Sequence, residues 1–231
     1  MRRCGLILCL TLCAPWLSAS EHPAAVKDEV TADRVLQDLK DGNERFVREG
    51  LRGEAGKARR LELVKGQQPE AIVLSCSDSR LPPEYIFDKG LGHLFVIRVA
   101  GPVVDPAVLA SIDYAVHHLG PKLLVVLGHE RCGAVTAAVS ALPGRSKETG
   151  ELLTLVTSIQ KNLKGGTYLS PEKDPGQRTA AQANVQAVAR QVLERSAAVR
   201  SAVERGRLRI EGAVYSLESG QVEFLHAEKA K

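Results

Sequence analysis

Aliphatic runs alternate with amphipathic stretches along most of this chain. Three such runs, at residues 71–75, 94–99 and 122–127, consist mainly of Val, Leu and Ile and have the length of strands. Strands without polar alternation are typical of parallel sheets covered by helices on both faces, because both faces of such strands are buried. The pattern therefore predicts three parallel strands.

The segments around these runs have the periodicity of helices. The first helix begins at Thr31 or Asp33, either of which suits an N-cap, and ends before Gly50. Its apolar face is formed by Val35, Leu36, Leu39, Phe46 and Val47. Further helices are predicted at residues 105–119, 134–142, 152–163 and 180–204, and a short one follows a basic linker at residues 51–60. Residues 144–177, which include the 152–163 helix, are rich in Gly, Pro, Lys and Ser and predict a surface excursion.

Two further strands end the chain. Residues 208–217 and 221–225, joined at Ser219-Gly220, predict a terminal hairpin or a pair of edge strands. The fold class is therefore α/β, with a mainly parallel central sheet flanked by helices and with C-terminal edge strands. Open sheets of this class place their ligands at the carboxyl ends of strands, so the chemistry is expected there.

The first 20 residues predict a secretory signal peptide. Arg2 and Arg3 form a basic region, an apolar stretch follows to about Trp16, and Ser18-Ala19-Ser20 suits cleavage. The apolar stretch is shorter than the roughly 20 residues that span a bilayer. We expect an exported protein, periplasmic or secreted, without a membrane anchor after cleavage. Residues 21–60 would then be a helical extension and linker, and residues 61–231 the α/β catalytic domain.

Charge and cysteine content narrow the possible functions. Without Arg2 and Arg3 the basic residues fall from 31 to 29 against 27 acidic ones, and they are interspersed with acids. The mature chain also has few aromatic residues. It therefore lacks the clustered basic and aromatic side chains that are typical of nucleic-acid-binding proteins. Of five cysteines, three lie in the signal peptide, so Cys76 and Cys132 remain. Two cysteines are too few for a disulfide scaffold, although a single bridge or two buried thiols is an alternative to a metal site.

Both remaining cysteines lie in short runs of reactive side chains, and each run begins where a predicted strand ends. The two runs are Ser75-Cys76-Ser77-Asp78-Ser79-Arg80 and Gly128-His129-Glu130-Arg131-Cys132-Gly133. Two thiolates and one imidazole make a three-ligand zinc site whose fourth position can hold water, as catalytic zinc sites do. Zinc lowers the pKa of such a water towards about 7. Asp78 and Arg80 are placed to form a charge-assisted pair, catalytic or merely structural.

The motifs Cys-x-Asp-Ser-Arg at Cys76 and His-x-x-Cys-Gly at His129 together resemble the β-class carbonic anhydrase family. The resemblance extends from Gly42-Asn43-Glu44-Arg45-Phe46 to Gly212-Ala213-Val214-Tyr215. It implies the fold of that family, one Zn²⁺ per chain, a homodimer or higher even homo-oligomer, and reversible hydration of carbon dioxide to bicarbonate. It also implies a catalytic Asp78–Arg80 pair. Asp78 would either accept a hydrogen bond from zinc-bound water or move onto zinc as a fourth ligand.

The resemblance assigns the substrate pocket as well. Gln67 matches a glutamine that reaches the substrate across the dimer interface, Phe95 and Tyr114 match aromatic walls, and Gly133 matches a backbone donor to substrate oxygen. In any α/β fold Phe95 and Tyr114 would equally suit the core. The chain departs from the family at Pro102, which has no backbone N–H.

Three alternative functions stay open. The same site could hydrolyse a sulfur analogue of the substrate, such as carbonyl sulfide or carbon disulfide. The chain could bind zinc without turnover, although the Asp78–Arg80 pair argues against this. A dithiol redox protein is the third, and the absence of Cys-x-x-Cys argues against it.

Overall fold

A computed structural model describes residues 30–141, 146–164 and 177–225. Its sheet consists of β1 (Ala71–Cys76), β2 (Leu94–Val99), β3 (Leu123–His129), β4 (Arg209–Tyr215) and β5 (Val222–Leu225). The strand order is β2-β1-β3-β4-β5, and all neighbours are parallel except β4 and β5. The prediction of an α/β fold with a mainly parallel sheet is thus confirmed. Of the C-terminal strands, β5 forms the edge, whereas β4 lies inside the sheet.

Helices cover both faces of this sheet. They are α1 (Ala32–Val47), α2 (Lys57–Leu63), α3 (Pro83–Ile86), α4 (Pro106–His118), α5 (Gly133–Ser140), α6 (Gly150–Asn162), α7 (Arg178–Arg195) and α8 (Ala197–Glu204). Thr31 caps α1, since its hydroxyl accepts from Arg34 N at 3.2 Å. The sequence placed the boundary between the N-terminal extension and the α/β domain at residue 60, which lies within α2. The short helix α3 was not predicted.

The prediction of one long helix at residues 180–204 is wrong, because the structure has two helices there. Ser196 is extended, with φ −100° and ψ 113°, and separates α7 from α8. Its Oγ accepts from Val199 N at 3.0 Å, which caps α8, and donates to Asp113 Oδ1 at 2.5 Å. These bonds satisfy the buried serine and offset the interruption of the helix.

Two apolar clusters, one on each side of the sheet, form the core. Strands β1 and β3 are buried along their whole length, as the aliphatic runs predict. Helix α7 crosses close over β3 and β4 because both carry glycine there. A Cβ at Gly128 or at Gly212 would meet the side chain of Val185 at 2.7 or 2.8 Å.

The Gly42–Phe46 segment ties α1 to distant parts of the chain. Asn43 donates to the carbonyls of Ile86 and Gly220 and accepts from Val222 N at 2.8 Å. Arg45 Nε donates to Asp88 Oδ2 at 2.5 Å. The other carboxylate oxygen of Asp88 accepts the backbone N–H groups of residues 52 and 53. This motif therefore fixes the architecture around the sheet and does not itself contribute to the cysteine cluster.

Among the described residues, no helix combines the length and the apolar character needed to cross a membrane. The predicted signal peptide at residues 1–20 lies outside the described residues.

Candidate metal centre and active site

The fold brings Cys76, His129 and Cys132 together at the carboxyl ends of two adjacent parallel strands. Cys76 is the last residue of β1 and His129 the last of β3, and these strands are hydrogen-bonded neighbours. The chain then turns through Arg131, whose φ is +55°, and Cys132 becomes the N-cap residue of α5. The three potential ligand atoms lie within 4.8 Å of one another, and all three residues are buried.

The donor set fits a metal such as zinc. Cys76 and Cys132 are free thiols with their sulfurs 4.0 Å apart, so they do not form the alternative disulfide. Tetrahedral zinc with bonds of about 2.3 Å holds two sulfurs roughly 3.8 Å apart. His129 Nδ1 lies 2.8 Å from the Glu130 carbonyl, an acceptor, and therefore carries the proton. The other ring nitrogen, Nε2, is thus a buried acceptor, and it has no hydrogen-bond partner.

Local hydrogen bonds stabilise the thiolate form of Cys76. The pKa of Cys76 is lowered to about 4, first by the hydrogen bond from the Cys132 thiol and further by that from the Gly101 amide, while burial opposes both. Two adjacent thiolates repel each other. Accordingly the pKa of Cys132 is raised, first by its hydrogen bond to Cys76 and also by burial. A cation bound between the sulfurs would offset this repulsion.

Asp78 and Arg80 form a two-pronged pair beside the cluster. Arg80 Nε and Nη2 donate to the two carboxylate oxygens of Asp78 at 2.9 and 2.7 Å, and Arg80 N donates at 3.0 Å. The hydrogen bond from the Arg80 side chain is the main reason why the pKa of Asp78 lies well below its ordinary value. Asp78 Oδ2 is 3.8 Å from His129 Nε2. The carboxylate therefore faces the cluster while Arg80 holds it.

The residues assigned to the substrate pocket are scattered within the chain. Gln67 is exposed in the segment before β1, and Gly133 is exposed at the start of α5, next to Cys132. Phe95 and Tyr114 lie beside each other, with ring centroids 6.2 Å apart and ring planes tilted by 35°. Phe95 packs against the apolar cluster on the other side of the sheet from the two thiols. The chain thus places Gly133 next to the cluster but does not bring Phe95 and Tyr114 to it.

Sequence reasoning missed the groups that support the cluster. Gly101 N donates to Cys76 Sγ at 3.3 Å, and Arg98 donates to the carbonyls of Cys76 and Asp78 at 3.2 and 2.6 Å. Two signals could have identified them. Arg98 is a charge inside an aliphatic strand, and Gly101-Pro102 is a turn dipeptide directly after that strand, at the edge where the site was expected.

Comparison with known proteins agrees with this geometry. The carbonic anhydrase family model matches residues 71–222. A carbonic anhydrase of Mycolicibacterium smegmatis is 40% identical over 191 residues, which cover 80% of this chain and 89% of that protein. The solved β-carbonic anhydrase CafA of Aspergillus fumigatus has a TM-score of 0.63 at 27% identity, covering 86% of this chain and 92% of its own. One of two tetrameric β-carbonic anhydrases of Sordaria macrospora gives 0.63 at 28% identity, covering 72% and 85%.

Proposed function

The chain belongs to the β-class carbonic anhydrase family, and from this premise we propose that it binds one Zn²⁺ and catalyses the reversible hydration of carbon dioxide to bicarbonate and a proton. Cys76, His129 and Cys132 would hold the metal. The observation that carries the proposal is the buried Nε2 of His129, an acceptor without a hydrogen-bond partner beside two thiols. A buried polar atom of this kind is costly unless it binds something.

Zinc, when bound, supplies a water that ionises near neutral pH and so becomes a nucleophile. The other tasks belong to protein groups. Asp78 is ionised throughout the ordinary pH range because its pKa is lowered, so it can accept a hydrogen bond from the attacking oxygen and orient it. Arg80 keeps Asp78 in this arrangement through its paired contacts. Without Arg80, Asp78 would be free to move onto the metal as a fourth ligand.

The dispersed pocket residues support assembly of the site from two subunits. Gln67 and Tyr114 are exposed, and Tyr114 retains 49% of its surface. Leu61 and Val64 of the α2 region are 60% and 79% exposed, which is unusual for aliphatic side chains so close together. We propose that a second copy of the chain covers this surface and supplies Gln67, Phe95 and Tyr114 to its neighbour. The assembly would be a homodimer or a higher even oligomer, and the similar enzymes of Sordaria macrospora are tetrameric.

Export is also a proposal, and it rests on the sequence of residues 1–20. A signal peptide would place the mature enzyme in the periplasm or outside the cell. Detection of the mature chain beginning near residue 21 in an extracytoplasmic fraction would test this, and an intact N-terminus in the cytoplasm would contradict it.

A stopped-flow assay of carbon dioxide hydration, with zinc measured on the same samples, tests the main proposal. The wild type should carry one zinc per chain and be active. Cys76→Ser, His129→Ala and Cys132→Ser should each lose zinc and activity together, because only two protein ligands remain. His117→Ala, at an exposed histidine of α4, is the matched control and should retain both.

The same experiment separates the alternatives. Full zinc content in one of the three variants would remove that residue from the site. A wild type with zinc but without hydration of carbon dioxide would be a zinc-binding protein without this turnover. Carbonyl sulfide and carbon disulfide, assayed in parallel, would identify a hydrolase of sulfur analogues if they were turned over in place of carbon dioxide.

A further inference from the structure

The thiol of Cys76 is contacted by a short loop that follows β2. Gly101 N donates to Cys76 Sγ at 3.3 Å, and both Gly101 and Pro102 are buried. The amide approaches the sulfur closely because Gly101 has a φ of +61°, which side-chain-bearing residues rarely adopt. Pro102 has no N–H, so the next peptide group cannot replace the Gly101 amide as donor.

The carbonyl of Pro102 is held from helix α7. Asn184 Nδ2 donates to Pro102 O at 2.9 Å, and Asn184 is only 1% exposed. Asn184 Oδ1 accepts from Asn162 Nδ2 at 2.8 Å, and Asn162 Oδ1 accepts from Gln191 Nε2 at 2.5 Å. Each amide fixes the orientation of the next, so Asn184 presents its nitrogen to the Pro102 carbonyl.

Helix α7 holds the same loop at a second point. Arg195 Nη1 donates to Val104 O at 2.6 Å. Helix α7 therefore fixes the loop at two carbonyl groups, those of Pro102 and Val104. Of the two hydrogen bonds, the one from Asn184 is nearer in the chain to the Gly101 amide. This bond joins residues 82 positions apart in the chain.

We propose that Asn184 is a positioning residue for the metal centre, because it holds the Pro102 carbonyl and thereby keeps the Gly101 amide directed at the Cys76 sulfur. This inference rests on the proposed function, in which Cys76 binds zinc. An amide that donates to a metal-bound thiolate fixes its direction and withdraws electron density from it. Losing such an outer contact typically costs roughly 10–100-fold in metal affinity or activity.

Asn184→Ala and a matched control, Ser196→Ala, test this role in the full chain. Ser196 is also buried, and the hydrogen bonds of its side chain go to Asp113 and Val199, not to the loop. In the cobalt(II)-loaded protein, Asn184→Ala should shift the thiolate-to-metal charge-transfer band to lower energy, because the Gly101 amide is no longer held against the Cys76 sulfur. Zinc should pass to a chromogenic chelator faster than from the wild type, by up to roughly the 10–100-fold that loss of an outer contact costs in affinity. Ser196→Ala should lower Tm without either change.

The results separate a failure of the proposed function from a failure of the proposed role of Asn184. A wild type that binds no metal would contradict the proposed function itself. If the wild type binds metal normally, an unshifted band and an unchanged release rate in Asn184→Ala would overturn this inference alone, and so would equal changes in Ser196→Ala. If Asn184→Ala does not fold, Asn162→Ala takes its place. It leaves the Asn184 amide free to turn, so a smaller change in the same direction is expected, and no change would overturn the inference.

Discussion

Replacing Gly101 by alanine should destabilise the protein through two separable effects. The residue has a φ of +61°, and a non-glycine residue in this region costs about 1–2 kcal/mol. The new Cβ would also lie 2.9 Å from Ala134 Cβ and 2.9 Å from Ile159 Cδ1. Carbon atoms in contact prefer about 3.5–4.0 Å, so the loop would have to move by roughly 0.6–1 Å. Overpacking of this kind costs about 1–3 kcal/mol, which brings the expected loss to about 2–5 kcal/mol.

Gly120→Ala is the matched control, because Gly120 has a φ of +69° and no atom lies within 4 Å of the position that an alanine Cβ would occupy. It should show the backbone cost of about 1–2 kcal/mol without the overpacking. Urea unfolding of both variants and the wild type would measure the two losses. Zinc content should fall only in Gly101→Ala, since its amide would move away from Cys76. A Gly101→Ala protein no less stable than Gly120→Ala would refute the crowding that the structure indicates.

Three further predictions concern the site and its surroundings. Arg80→Ala should keep zinc but lose most hydration activity, with Arg80→Lys intermediate because lysine cannot form the paired contact with Asp78; near-normal activity in Arg80→Ala would contradict it. Chelated protein treated with hydrogen peroxide should lose both free thiols of Cys76 and Cys132 to an internal disulfide, because the sulfurs, 4.0 Å apart, need to approach to only about 2.05 Å. Zinc-loaded protein should keep them, and two free thiols in the treated chelated sample would disprove the idea. Burial opposes but does not cancel the hydrogen bonds that lower the pKa of Asp88. Its stabilising contribution is therefore present above about pH 4 and lost as the pH falls through the lowered pKa. Unfolding at pH 7 should show Asp88→Asn less stable than the wild type by about 1–3 kcal/mol, and a difference that does not shrink at lower pH would contradict the assignment.

The strands of the sheet could be predicted from the sequence because burial on both faces leaves an unbroken aliphatic run. Two features lacked such a signal. Helix α3 has four residues, too few for a periodic pattern, and the break at Ser196 depends on a contact with Asp113 that lies 83 residues away. The order of the strands in the sheet could not be predicted from the sequence either, because it is set by pairing between residues far apart in the chain. For this reason β4 was not recognised as an interior strand.

The cluster of Cys76, His129 and Cys132 could be predicted because side-chain chemistry identifies candidate metal ligands at the ends of strands. The groups that support the cluster were missed, because most of them are backbone atoms, such as the Gly101 amide and the Glu130 carbonyl, and only Arg98 and the Gly101-Pro102 turn leave a signal in the sequence. The pocket residues Phe95 and Tyr114 came only from the family resemblance. Their proposed place in the site depends on a second chain, which the pattern of one sequence does not encode.

The spacing of the candidate ligands along the chain has a consequence for the order of folding. Cys76 and Cys132 are 56 residues apart, and they meet only after β1 and β3 have paired across a crossover that includes β2 and α4. Closing such a long loop costs entropy before the contacts form, so parallel pairing of this kind comes late and slowly. A chain interrupted before β3 would contain Cys76 without His129 and Cys132, and therefore no complete cluster. Capture of the metal is therefore expected to mark the completion of the sheet and not to initiate it.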